Sequence, residues 1–367
     1  MSENFDNKIK RLELQNFTCF AKADMDFSSG INVFIGENGT GKTHILKALY
    51  SMILKNSQFD VIKFQMNEQQ KQGAEGGVNT LYNFTNVFQT PELSRNDANE
   101  FRCKVYLGSK HHLNFRFSRI GDKIEWQLLP LDNELKLPFD LNPLFIPCFE
   151  MLAWFKGFTS AYEMRENSFD ATYYHLAKAL SPLPLRENGV SDWKILYNTL
   201  AEDTHITVTQ LNGEFYVNVK GKDEQLFNAK RVATGINKLA QMIYLIKNGS
   251  LTKKTILFWD EPETNLNPLY IKIVAQFLQT LAKNGVQIFV ATHDYLLAHL
   301  LSLDASYRRE TEAPPMKFFA FYKGEDGTEI ESADTIAGIQ NNAILDEYSA
   351  YYDLEQELYY QSREQTV

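Results

Sequence analysis

Gly36-Glu37-Asn38-Gly39-Thr40-Gly41-Lys42-Thr43 is the stretch from which the rest of this chain is read. It satisfies the P-loop pattern in full, and each part has a physical task. The glycines let backbone N–H groups close around phosphates. Lys42 brings a positive charge to the β- and γ-phosphates of a bound nucleotide. The Thr43 hydroxyl is placed to ligate Mg²⁺, and a following helix points its N-terminal dipole at the anion. The setting agrees with the motif: residues 31–35 are apolar and read as a buried strand, and a helix is predicted from about 43 to 54. The expected cofactor-binding set is therefore Asn38, Gly39, Thr40, Gly41, Lys42, Thr43 and His44, with ATP and Mg²⁺ as ligands.

Further strand ends carry chemistry-bearing residues. The run Ile256-Leu257-Phe258-Trp259 delivers Asp260 and Glu261 to the carboxyl edge of a sheet, where ligands sit in open α/β folds. Asp260 is expected in the metal shell, and Glu261 is expected to orient and polarise the attacking water. Residues 288–291 form another apolar run, ending at Thr292 and His293, and His293 is placed near the γ-phosphate or the water. Ala233-Thr234-Gly235-Ile236-Asn237-Lys238 precedes an apolar-periodic helix over 239–246. A hydroxyl residue and a glycine at a helix N-terminus make a second anion site, so Thr234 and Gly235 join the nucleotide-binding set.

A fourth strand is predicted at 317–322. Asn267 and Pro268 read as the cap and first residue of a helix that Gly285 closes, and the strand at 288 follows at once. This βαβ unit favours a parallel sheet. The middle differs. Alternating runs at 104–107, 113–117 and 124–128 read as antiparallel strands with turns at Gly108 and Gly121, and Asn212-Gly213 marks a hairpin within 206–219. Residues 150–200 read as helical and aromatic-rich, broken by Pro182 and Pro184, and 66–80 reads as a mobile loop. The expected division is residues 1–55 as the N-terminal part of the ATPase core, 56–230 as a β lobe with a helical insertion, and 231–367 as the C-terminal part of the core. Phe17 and Phe20 are assigned to the core, and Phe149, Trp154, Phe155 and Phe158 to core or interface packing.

The net charge of −9 makes the chain as a whole a poor non-specific partner for nucleic acid. Three widely spaced cysteines give no metal knuckle or disulfide framework, which suits a reducing, cytoplasmic setting. No stretch reaches the roughly 18–20 apolar residues that a bilayer span needs, so no membrane partner is expected.

In this order, the P-loop, Thr234-Gly235, Asp260-Glu261-Pro262-Glu263 and the strand-end His293 resemble ABC-type ATPases of the SMC/RecF kind. So do Leu12-Glu13-Leu14-Gln15-Asn16-Phe17 and Trp259 to Pro268. The implied fold class is α/β: an ABC-type P-loop NTPase head with a mainly parallel core sheet, an antiparallel β lobe and an inserted helical segment. More narrowly, residues 144–151 and 169–174 resemble the stand-alone ATPase components of bacterial anti-phage systems (PARIS, Septu, OLD-like). The resemblance implies a homodimer, or a higher even-numbered homo-oligomer, that sandwiches ATP. Thr234 and Gly235 would then touch the γ-phosphate held by the partner copy, with residues 264–267 near the seam. It also places a metal-sensing residue after strand 144–146. Relatives have glutamine there, and here the matching position is Glu150, a departure that bears on its metal role. The Thr234-Gly235 element lacks the family's second glycine, which suits slow turnover and a switch rather than a motor.

Two functions follow. One is an ATP-gated regulator that holds or releases an effector protein, a toxin or a nuclease, in anti-phage defence. The other is a RecF-like DNA-repair ATPase, which would need a basic surface; Lys110, His111, His112, Arg116, Arg119 and Lys123 are its candidates, with DNA as the partner.

Overall fold

A computed structural model describes residues 8–54, 87–88, 93–95, 100–108, 111–120, 123–128, 141–164, 168–185, 194–219, 225–307 and 313–364. The chain opens with strands β1 (Ile9–Phe17), β2 (Phe20–Asp26) and β3 (Ile31–Gly36) and helix α1 (Lys42–Ile53). Strands β4 (Glu100–Leu107), β5 (His111–Ile120), β6 (Lys123–Leu128) and β7 (Asn142–Ile146) follow. Helices α2 (Phe158–Glu163), α3 (Ala171–Leu180) and α4 (Lys194–Thr204) lead to β8 (Ile206–Leu211), β9 (Glu214–Val219) and the short β10 (Phe227–Asn228). The remainder runs α5 (Thr234–Lys247), β11 (Thr255–Asp260), α6 (Pro268–Lys283), β12 (Gln287–Ala291), α7 (Tyr295–Tyr307), β13 (Met316–Gly324), β14 (Gly327–Ala333) and α8 (Ala343–Glu364).

The core sheet has the order β14-β13-β3-β12-β11-β7. Its strands from β13 to β7 are mutually parallel, and β14 pairs antiparallel at the edge. Side chains alternate across a strand, and both faces of this sheet are covered, which is why its strands read as unbroken apolar runs. One face is largely aliphatic: Ile31, Val33, Leu144, Leu257, Ile288 and Val290 pack on α5, α6 and α7. The other is phenylalanine-rich. Phe34, Phe145, Phe258, Phe289, Phe319 and Phe321 meet Ile45, Leu46 and Leu49 of α1. Phe258 stacks on Phe289 at 5.2 Å between centroids, and Phe27 meets Phe289 edge-on at 5.0 Å. Edge-to-face and offset pairs of this kind satisfy the ring quadrupoles as well as burying area.

The antiparallel lobe is the sheet β2-β1-β4-β5-β6, and Gln287 ties it to the core. Gln287 Oε1 accepts from the Ile9 N–H and its Nε2 donates to the Ile9 carbonyl, both at 2.8 Å. Buried amides are costly unless paired, so this clamp fixes where β1 crosses the end of β12. The β8–β9 hairpin turns through Asn212 and Gly213 with both φ positive, the two-residue geometry that their identities predict. Asn267 caps α6 by accepting from the Tyr270 N–H at 3.0 Å, with Pro268 at the first position.

Some expectations need adjustment. Helix α5 begins at Thr234, five residues before the apolar periodicity becomes visible. Thr234 is therefore the first helical residue and not its cap; the capping position is Ala233, which offers no side-chain acceptor. Helix α8 has no counterpart in the sequence reading, because its exposed tyrosines and acids carry no apolar stripe. Phe17, Phe20 and Phe158 are core residues, whereas Phe149 and Trp154 are exposed. The loop expected at 66–80 and the turn at Gly121 lie outside the described residues. Among the described residues no helix is long and apolar enough to cross a membrane.

Candidate nucleotide site

Three neighbouring strands, β3, β12 and β11, end together, and register alone brings their termini into one place. Asp260 pairs with Ala291, and Ala291 with Phe34. Beyond the last pairs, the Glu261 N–H donates to the Ala291 carbonyl and the Thr292 N–H to the Phe34 carbonyl, both at 2.9 Å. The P-loop leaves β3 at this edge and α1 starts above it.

Within the P-loop, Lys42 is buried and its Nζ donates to the carbonyls of Gly36 and Glu37, each at 2.7 Å. Burial lowers its pKa, opposed by Asp260, Glu261, Glu263 and Glu37. The ammonium thus rests where an incoming phosphate can draw it off two neutral acceptors. Thr40 Oγ1 donates to the Glu37 carbonyl at 2.8 Å, and Asn38 and Gly39 are exposed at the loop tip. Gly41 has φ +89°, and a Cβ there would lie 2.4 Å from Cys19 Sγ and 2.6 Å from Phe20 Cζ, so both conformation and space demand glycine. His44 faces Phe88, with ring centroids 5.5 Å apart, and burial lowers its pKa.

The Thr43 hydroxyl lies 3.0 Å from both Asp260 oxygens. Burial raises the Asp260 pKa to about 6, with Glu261 adding to the rise and the Thr43 hydroxyl, Lys47 and Lys42 opposing it. A hydroxyl and a carboxylate that carries an unfavourable buried charge form a hard-oxygen pair suited to Mg²⁺, which keeps waters and phosphate oxygens for its other positions. Glu261 sits next to this pair in a left-handed conformation, φ +48°. Its Oε2 accepts from Thr264 Oγ1 at 3.1 Å, and its Oε1 is 3.4 Å from His293 Nδ1. The carboxylate is held from two sides while its end stays partly open to solvent.

Two residues quoted within the sequence motifs, but given no role there, belong to the site. Glu263 is buried; its Oε1 accepts from Thr292 Oγ1 at 2.7 Å and from the His293 N–H at 3.3 Å, so it shapes the turn that carries His293. Burial raises its pKa. Lys238 is almost wholly buried on α5, and its Nζ donates to the Glu261 carbonyl at 2.9 Å. Burial lowers its pKa to about 8 against the pull of Glu263, Cys148, Glu261 and Asp260.

Thr234 is exposed at the start of α5, and Gly235 beside it is buried against the segment after Glu263. A Cβ on Gly235 would come within 2.3 Å of the Asn265 carbonyl oxygen. The structure does not direct Glu150 toward Thr43 and Asp260. Its carboxylate accepts from the Leu152 N–H at 2.7 Å, the Ala153 N–H at 3.3 Å and Asn237 Nδ2 at 3.3 Å. Burial raises its pKa, and those donors oppose the rise. Its geometry is that of a buried loop anchor, and among the described residues no group of three or more His, Cys, Asp or Glu side chains is arranged to hold a metal. Of the basic candidates, Arg116 pairs with Glu100 at 3.4 Å, as does Arg102, opposite it on β4, at 2.5 Å. Lys110 lies outside the described residues, as do the side chains of Arg119 and Lys123.

Comparison with known families matches an "AAA ATPase domain" model over residues 8–112. A second model, "AAA domain, putative AbiEii toxin, Type IV TA system", matches residues 129–298. The DNA replication and repair protein RecF of Streptococcus suis is 42% identical over 65 residues, 16% of this chain and 18% of that protein. RecF of Flavobacterium johnsoniae is 25% identical over 245 residues, 64% of this chain and 62% of that protein. The chain thus matches less than two thirds of the length of either relative. An SMC head domain from Thermotoga maritima superposes with a TM-score of 0.46 at 12% identity, covering 89% of this chain and 99% of that one.

Proposed function

We propose that this chain, an SMC/RecF-like P-loop ATPase, works in the cytoplasm as a nucleotide-gated switch that pairs with a second copy around Mg-ATP and so controls an effector protein. The observation that carries the reading is the meeting of Lys42, Thr43, Asp260, Glu261 and His293 at one sheet edge. Lys42 and the P-loop amides grip the phosphates. Thr43 and Asp260 would hold Mg²⁺, which would neutralise charge on the β- and γ-phosphate oxygens. Glu261, steadied by Thr264 and His293, is placed to orient a water and accept its proton. Asp260 and Glu261 differ in environment. Asp260 is buried and bonded to Thr43, and the Glu261 carboxylate reaches solvent, so a metal role and a base role divide between adjacent residues.

Pairing is supported by the surface that carries Thr234. This residue is exposed, Gly235 packs on Asn265, and Asn265, Asn267 and Leu269 continue the exposed patch. A polar seam with one exposed leucine suits an interface that forms with nucleotide and parts after hydrolysis. The effector reading draws on the toxin–antitoxin wording of the second family description. The test is Glu261→Gln followed by light scattering after gel filtration. ATP should drive the variant to a lasting dimer while hydrolysis falls to a small residual rate. A variant that binds ATP but stays monomeric would remove the switch.

The matches to RecF favour a second reading, in which ATP promotes DNA binding. It requires DNA affinity that rises with ATP and falls steeply with salt. The acidic net charge and the pairing of Arg102 and Arg116 with Glu100 weigh against it.

A further inference from the structure

We propose that Lys238 is a positioning residue for Glu261, tying the start of helix α5 to the residue that orients the water. The inference rests on the reading of Glu261 given above. Glu261 follows the end of β11 with φ +48°, a conformation that costs a β-carbon residue roughly 1 kcal/mol or more and persists only where the surroundings enforce it. What enforces it is visible. The N–H of Glu261 is fixed to Ala291, and its carbonyl receives two donors, the Thr264 N–H at 3.2 Å and Lys238 Nζ at 2.9 Å. The first closes a local turn. The second comes from another helix, 23 positions away in sequence.

A lysine with 1% exposure is an expensive means of filling space, since its desolvation must be offset by neighbouring negative charge. Here the charge is supplied by the acidic run itself. Glu263, Glu261 and Asp260 all attract the ammonium, and Glu263 Oε2 is buried without a hydrogen-bond partner. Lys238 therefore does two things. It offsets the repulsion among three closely spaced carboxylates, and it holds the Glu261 backbone so that the side chain meets Thr264 and His293. Lys238 lies one turn beyond Thr234 and Gly235 on the same helix. A displacement of that first turn, such as a nucleotide held by a second copy would impose, reaches the Glu261 carbonyl through one side chain.

The test uses the full chain with Lys238→Met, Lys238→Arg, Glu261→Gln and the double variant K238M/E261Q. We expect K238M to bind a fluorescent ATP analogue within about threefold of the parent while kcat falls by about tenfold or more. K238R, which keeps the cation, should recover part of the rate. In the E261Q background K238M should lower the residual rate no further, because a residue that acts only through Glu261 has nothing left to position. A general loss of structure would lower both backgrounds alike and would weaken nucleotide binding. The proposal fails if K238M turns over within twofold of the parent, or if it lowers the rate equally in both backgrounds. If K238M does not fold, Lys238→Gln, which keeps a donor for the carbonyl, is read by the same criteria. If E261Q retains the parent rate, the reading of Glu261 itself falls and takes this proposal with it.

Discussion

Asp260→Asn should make the nucleotide-free protein more stable while it abolishes hydrolysis. Burial lifts the Asp260 pKa from 3.8 to about 6. In that pH window the folded protein keeps a proton that the unfolded chain has already released, so stability falls as pH rises through it. Above pH 6 the full penalty is present, about 3 kcal/mol; below pH 4 it is absent. Asparagine is nearly the same size and still accepts from the Thr43 hydroxyl, which lies 3.0 Å from both carboxylate oxygens, so the substitution removes the buried charge with little else. Lys42 keeps Glu261 and Glu263 as attracting neighbours. With an unfolding entropy of roughly 2 cal/mol/K per residue, 3 kcal/mol raises the melting temperature of a chain of this size by about 4 °C. Differential scanning calorimetry at pH 7.5 without nucleotide or metal is the assay, repeated near pH 4.5, where the gain should shrink to about a third. The parent's own pH profile will not isolate the effect, because His175 acts in the opposite sense. Burial lowers its pKa to about 3, so its contribution to stability is lost as pH falls from 6.5 toward 3. Only the difference between variant and parent reports Asp260. An unchanged or lower melting temperature at pH 7.5, or an equal gain at both pH values, refutes the reasoning.

Other substitutions probe the frame around the site. Gly235→Ala places a Cβ 2.3 Å from the Asn265 carbonyl oxygen, so the 264–267 segment must move; ATP should still bind, but light scattering should show no ATP-driven dimer. Gly41→Ala meets both a positive φ and the side chains of Cys19 and Phe20, and calorimetric titration should detect no ATP binding, with stability lowered by about 2 kcal/mol or more. Asp170 caps α3 through the Thr172 N–H at 2.8 Å and pairs with Lys47 of α1 at 2.8 Å. Both side chains are less than a fifth exposed. Asp170→Ala should therefore shift the urea midpoint by about 1–2 kcal/mol of stability, without the nucleotide-binding loss that Gly41→Ala brings.

How much of this was legible in advance depends on how local each signal is. The phosphate grip is contiguous, so Gly36 to Thr43 announces it. Asp260, Glu261 and His293 each lie within two residues past an apolar run, and parallel register then brings them together without further information. Which face of those strands is aliphatic and which is phenylalanine-rich cannot be read from runs buried on both sides; it appears only once α1 is seen to cover Phe34, Phe258 and Phe289. Glu150 shows the opposite failure. Its place after β7 matches a family position, yet two backbone N–H groups and Asn237 lie closer to hand, and a short loop satisfies the carboxylate locally.

Lys238 is the instructive omission, because a signal was present. A lysine on a helix is ordinarily read as solvated, and the apolar positions from Leu239 onward drew attention past it. Counting back along α5 places Lys238 four residues before Met242 and Gln241 four before Leu245, on the buried side of a helix whose residues from Asn237 to Ile246 are all buried. A helix covered all round has no solvent face on which to put a charge, so a cation and two amides within it must each find a partner inside the protein. Gln241 takes the Met151 N–H, Asn237 takes Glu150 and the Ala229 carbonyl, and Lys238 takes Glu261. Those three side chains reach the loop after β7, the turn before α5 and the acidic end of β11. Helix α5 is thereby hydrogen-bonded to all three. A ligand contacting Thr234 would press on an element with little freedom to yield, and the displacement it causes would be delivered at Glu261.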